Sequence, residues 1–120
     1  MTDSPRFSVR FDDGAFAEDL HHATAAGRVV GIEARGRLEP EGIAAGELFG
    51  CDPDARDGTR LAGCVKTYLP QPDGGWGIVF SGDRATGGRP VLVALAFGVR
   101  HPVHAWQPSV YQVAHRRLNG

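Results

Sequence analysis

The chain has 120 residues, 42% of them hydrophobic, which suits one ordinary core and is too short for two. No stretch approaches the roughly 20 apolar residues of a membrane span. The opening "MTDSPRFSVRFDDGAF" lacks the regions of a signal peptide, so a single cytoplasmic domain, residues 1–120, is the expectation.

The net charge of −1 is too close to neutral for strong indiscriminate nucleic-acid binding, but it hides an asymmetry. Residues 1–57 hold six arginines against twelve acidic residues; residues 58–120 hold one lysine and six arginines against two aspartates. The C-terminal half can therefore form a face that attracts polyanions, or it can simply pair with the acidic half.

In chain order, "RFSVRF" (Arg6 to Phe11) alternates apolar with polar or basic residues and predicts a half-buried strand. Asp12 or Asp13 can cap a following helix, in which Phe16, Leu20 and Ala23 or Thr24 recur at helical spacing and Gly27 reads as the stop. From Val29 to Gly50 there is enough Ala, Glu and Leu for a second helix, but glycines and Pro40 interrupt the pattern. "CDPDARDG" (Cys51 to Gly58) predicts an acidic loop without calcium-loop spacing. Cys51 and Cys64 make no disulfide framework and read as free thiols, and without clustered Cys/His ligands no zinc site is implied.

The second half reads as strands. "GCVKTYL" (Gly63 to Leu69) and "WGIVF" (Trp76 to Phe80) flank the turn signal "PQPDGG", and "SGDRATGGRP" predicts another turn. "VLVALAFGV" (Val91 to Val99) is a continuous apolar run, the pattern of a central strand covered on both faces. Pro102 and Pro108 then mark an irregular segment, and "SVYQVAHRRLNG" ends the chain as a short helix or strand. The expected class is α+β: a small antiparallel sheet of about four strands with the N-terminal helix or helices on one face.

This order, with particular residues, resembles the RelE/ParE superfamily of small bacterial toxins. "FSVRF" and the helix after it resemble the family's opening. "LAGCVKTYL" resembles its leucine-glycine lead into the second strand, and "GGWGIVF" its next strand. "VALAFGVR" followed by "SVYQVAHRRL" resembles the last core strand ending in Gly-x-Arg, then the Val-Tyr and Arg-Leu tail.

The resemblance implies a RelE-like toxin, either a ribosome-dependent mRNA endoribonuclease or a degenerate relative of one, neutralised by a cognate antitoxin. It implies no cofactor and no metal. Carried over by position, Arg100, Tyr111 and Lys66 stand at family site positions, while Gly77 replaces a usual arginine and Tyr68 a second basic residue. Histidines can stand in for missing acid/base groups, and His115 shares a helix face with Tyr111 if the tail is helical, with His101 and His104 nearby. Two alternatives stay open: a non-catalytic binder like the ParE branch, which contacts DNA gyrase, or a non-toxic module on the same fold. Trp76 and Trp106 read as packing residues, and Arg116 and Arg117 as a solvated helix end.

Overall fold

The computed structural model describes residues 6–69, 75–84, 90–104 and 106–120. The first strand, β1 (Arg6–Phe11), forms as its alternation predicts: Val9 and Phe11 are buried, while Ser8 and Arg10 are exposed. Asp12 caps helix α1 (Asp13–His21), its carboxylate accepting from the Ala15 N–H at 2.8 Å.

Gly27 does not stop this helix. Thr24 starts a new one, its hydroxyl accepting from the Gly27 N–H at 3.1 Å. Helix α2 (Ala25–Glu41) then runs unbroken through the glycines. The physical reason is tertiary. A Cβ on Gly27 would clash with the Trp76 ring, and one on Gly31 would lie 2.7 Å from Phe97. These two glycines, one helical turn apart, let α2 settle onto the stacked Trp76–Phe97 pair, whose centroids are 5.4 Å apart. Packing thus overrides the low helix propensity of glycine. Pro40 lies in the last turn, where its missing N–H costs the helix one hydrogen bond. Gly42 ends the helix at φ 70°, where a Cβ would meet the Phe7 carbonyl oxygen at 2.5 Å.

The remaining elements are β2 (Ile43–Ala44), a 3-10 turn (Ala45–Glu47), β3 (Phe49–Gly50), β4 (Val65–Tyr68), β5 (Trp76–Arg84), β6 (Pro90–Val99) and α3 (Val110–Asn119). The α+β class holds, but the sheet differs from the expected four antiparallel strands. Among the described residues it has six strands in the order β2-β1-β6-β5-β4-β3, and β1 runs parallel to β6. The strands β4, β5 and β6 do form a contiguous antiparallel run. The turn expected at "PQPDGG" lies almost wholly outside the described residues. In the next one, Ser81 to Arg84 belong to β5 and positions 85–89 lie outside the described residues.

As its composition predicts, β6 is central, and both its faces are covered. Helices α1 and α2 lie on one side, over a core that includes Phe16, Leu38, Ile78, Phe80 and Phe97. On the other side α3 packs Val110 and Ala114 against Val79, Ala96, Leu61 and Cys64. The helices therefore occupy both faces rather than one. None of the described helices is long and apolar enough to cross a membrane.

Candidate functional site

Alternation along β4 decides where the site forms. Val65 joins the core under α1 and α2, so Lys66 and Tyr68 point to the opposite face, the one that carries α3. Beside them in the sheet, Gly77 on β5 stands opposite Tyr68. Just past the end of β6, the Arg100 N–H donates to the Gly75 carbonyl and carries the β5–β6 pairing one step further. Ser109 starts α3 with a capping box, accepting from the Gln112 N–H at 3.1 Å while the Gln112 side chain accepts from the Ser109 N–H at 2.9 Å. That cap sets Tyr111 in the first turn, over the same patch.

Four side chains close into a ring of alternating cations and aromatics. The Arg100 Nε donates to the Tyr111 hydroxyl at 3.2 Å. Its guanidinium carbon lies 3.9 Å from the centre of the Tyr68 ring. The Lys66 ammonium sits 4.9 Å from the Tyr111 ring and 5.8 Å from the Tyr68 ring. Among the described residues, no carboxylate pairs with either cation. Aromatic faces hold the two charges without neutralising them, so an incoming anion meets both.

Gly77 makes this arrangement possible. A Cβ there would lie 3.2 Å from Cγ and Cδ of Arg100 and 3.0 Å from the Thr67 carbonyl oxygen. The stem of Arg100 crosses β5 in the space that a side chain at position 77 would occupy. Glycine at the position where the resemblance expects arginine thus admits Arg100 from the neighbouring strand end.

The structure brings together Lys66, Arg100 and Tyr111 from the expected set. His115 is placed differently. Its Nδ1 accepts from the Arg60 N–H at 2.9 Å, which ties α3 to the 57–60 loop. His101 and His104 are both exposed, and His104 stacks on Trp106 at 5.2 Å. Trp76 packs as expected, but Trp106 is 79% exposed. Trp106 instead borders a cleft of about 380 Å³, shared with Glu18, His22, Val99 and Arg116. Phe49, which sequence reasoning passed over, stacks on Tyr68 at 4.9 Å.

The thiols beside this site are quiet. Burial pushes the Cys51 thiol up to about 11; neighbouring Cys64 adds to the shift and Lys66 opposes it. Burial also raises Cys64. Both should react slowly with iodoacetamide near neutral pH in the native protein, and Cys51 should label freely only as the pH approaches about 11. The sign for stability follows from linkage. A thiol raised in the folded state favours folding below its unfolded pKa of about 8.5, and that contribution fades as the pH climbs through the folded value. Rapid labelling of the native protein at neutral pH would contradict this packing.

Fold and site together define an α+β domain with two cations and two tyrosines gathered on one patch between a sheet and the helix α3. Comparisons of the chain with family models, with curated proteins and with solved structures find no match in any of the three.

Proposed function

We propose that this chain is a RelE-like toxin that cleaves mRNA on the ribosome and is held in check by a cognate antitoxin. One observation carries the reading: Lys66, Arg100 and Tyr111 meet on one patch with two cations that no described carboxylate neutralises. Such a patch suits phosphodiester cleavage by an adjacent 2′-hydroxyl. The 2′-hydroxyl gives its proton to a solvent water as its oxygen bonds to phosphorus, the bond to the 5′ oxygen breaks, and negative charge builds on the phosphoryl oxygens. Arg100 and Lys66 would stabilise that charge. The Tyr111 hydroxyl accepts from Arg100, which leaves its own proton free to pass to the departing 5′ oxygen.

A second reading is a non-catalytic binder that contacts DNA gyrase. The observation favouring it is Gly77: Arg100 takes up the space there, so the arginine that the resemblance implies at this position is missing from the patch.

For the partner, the 79% exposed Trp106 at the rim of the cleft supports this as the surface an antitoxin would cover. The chain is then expected to co-purify with a small protein encoded in the adjacent reading frame.

The deciding experiment is induced expression, with mapping of mRNA 5′ ends and a parallel assay for DNA breaks. Growth arrest with new mRNA ends inside translated frames supports the ribonuclease. Arrest with DNA breaks and intact mRNA supports the gyrase reading. High-level expression without loss of growth overturns both.

A further inference from the structure

The edge strand β3 exposes both of its residues, and one of them is a phenylalanine. Phe49 is 47% exposed and Tyr68 is 41% exposed, although both are large rings. Their planes lie 18° apart with centroids at 4.9 Å, so they stack nearly face to face. Arg100 approaches Tyr68 at 3.9 Å. Two groups that close cannot share one face of a ring, so Tyr68 is sandwiched between Phe49 and Arg100. The stack runs Phe49, Tyr68, Arg100, and it ends at β3 on the outer face of Phe49.

We propose that the Phe49–Tyr68 pair is a stacking step for a nucleobase of single-stranded RNA, whose phosphate lies against Lys66 and Arg100. The proposal rests on the function inferred above and names what that site would grip besides phosphate. Two features point to this ligand rather than to a protein segment. The rings directly adjoin the two unneutralised cations, so a molecule reaching Phe49 across the patch must also satisfy those charges. A nucleotide supplies an anion and a flat π-face one covalent step apart, and single strands are bound elsewhere by the same alternation of cations and aromatics. A duplex keeps its bases stacked on one another, so only an unpaired base can lie on Phe49. Ring stacking accepts any base, so this step adds affinity with little sequence preference.

The test is fluorescence anisotropy with the full-length chain and three ligands: a short single-stranded RNA, the same sugar-phosphate chain made abasic, and a duplex of the same length. The native chain should bind the base-bearing strand about tenfold more tightly than the abasic one, and the duplex more weakly than the single strand. Phe49→Ala should erase the preference over the abasic strand, and Phe49→Trp should keep it, which separates a lost stacking face from a damaged fold. Lys66→Ala should weaken both single strands alike and flatten their salt dependence. If Phe49→Ala retains the native preference for bases, the stacking step is overturned while the cation patch stands. If Lys66→Ala and Arg100→Ala bind RNA as the native chain does, the underlying reading of the site falls. If Phe49→Ala loses only the co-expressed partner protein and keeps RNA binding unchanged, the ring is a protein contact and the proposal fails.

Discussion

Under the proposed ribonuclease function, replacing Arg100 with alanine is expected to lower mRNA cleavage by about 10²–10³, the usual cost of removing one donor aimed at a developing negative charge. Two contacts are lost at once: the hydrogen bond to the Tyr111 hydroxyl and the guanidinium over Tyr68. Tyr111→Phe is the finer probe. It keeps the ring beneath Lys66 and removes only the hydroxyl, so it tests proton donation without dismantling the patch. Because the two residues share one hydrogen bond, the double variant should lose less than the product of the single effects. In cells, Arg100→Ala with Tyr111→Phe should relieve growth arrest, and a double variant as toxic as the native chain would sink the assignment. Gly77→Ala should move activity in the same direction by a smaller amount. Its methyl would crowd the Arg100 stem and the Thr67 carbonyl, shifting the guanidinium from Tyr68 without deleting it. Single-turnover cleavage of a ribosome-bound message ranks all four variants.

The parts of the fold legible in sequence are those where one local signal dominates. Alternation placed β1, an Asp at the right offset placed the cap of α1, and an unbroken apolar run placed β6 at the centre. Helix α2 was obscured because Gly27 and Gly31 are there for close approach to Trp76 and Phe97, and a packing requirement at long range looks like a helix stop at short range. The two-residue strands β2 and β3 carry too few residues for any period to show. Phe49 was missed for that reason, since its importance lies in pairing with Lys66 and stacking on Tyr68, both distant in sequence. Within the site, Lys66, Arg100 and Tyr111 were named from motif positions, and their meeting adds geometry that no spacing contains. His115 satisfies the helical spacing from Tyr111, but spacing could not say that a backbone N–H from a distant loop would occupy its ring nitrogen.

Arg117 is the clearest case of a residue whose sequence context misleads, and it carries the largest expected effect on stability. A basic residue in a last helical turn reads as solvated. Here it reaches around the sheet to α1 and makes a two-pronged pair with Asp19, both contacts at 2.8 Å. The need arises from the sheet. Pairing of β1 with β6 ends at Phe11 and Ala94, and a register shift opposite Val79 and Phe80 leaves Leu95 without a partner on β5. Beyond that point no strand among the described residues pairs with β6 on the β1 side. Asp19 accepts from the Phe97 N–H at 2.9 Å, and Arg117 donates to the Leu95 carbonyl at 2.8 Å, so the pair satisfies backbone groups that β1 does not reach. Burial works against the Arg117 charge, but its bonds to Asp19 and Glu18 outweigh burial and raise its pKa above the usual arginine value.

Arg117→Ala would leave Asp19, whose side chain is 6% exposed, as a buried charge without its partner. The expected loss is about 3–5 kcal/mol, a large share of the roughly 5–15 kcal/mol that holds such a domain together. At about 4 °C per kcal/mol, thermal unfolding should fall by about 12–20 °C. Arg117→Lys should recover only part of this, because a point charge cannot reproduce the two-pronged contact. The double variant Asp19→Ala with Arg117→Met removes both charges together and should be more stable than Arg117→Ala alone. If the single variant melts with the native chain, the pair is not what closes this edge. The consequence reaches the site through α3: the Ser109 cap fixes one end of the helix and Arg117 fixes the other. Loosening Arg117 should therefore free Tyr111 to move away from Lys66 and Arg100, and activity at temperatures well below unfolding should decline along with stability.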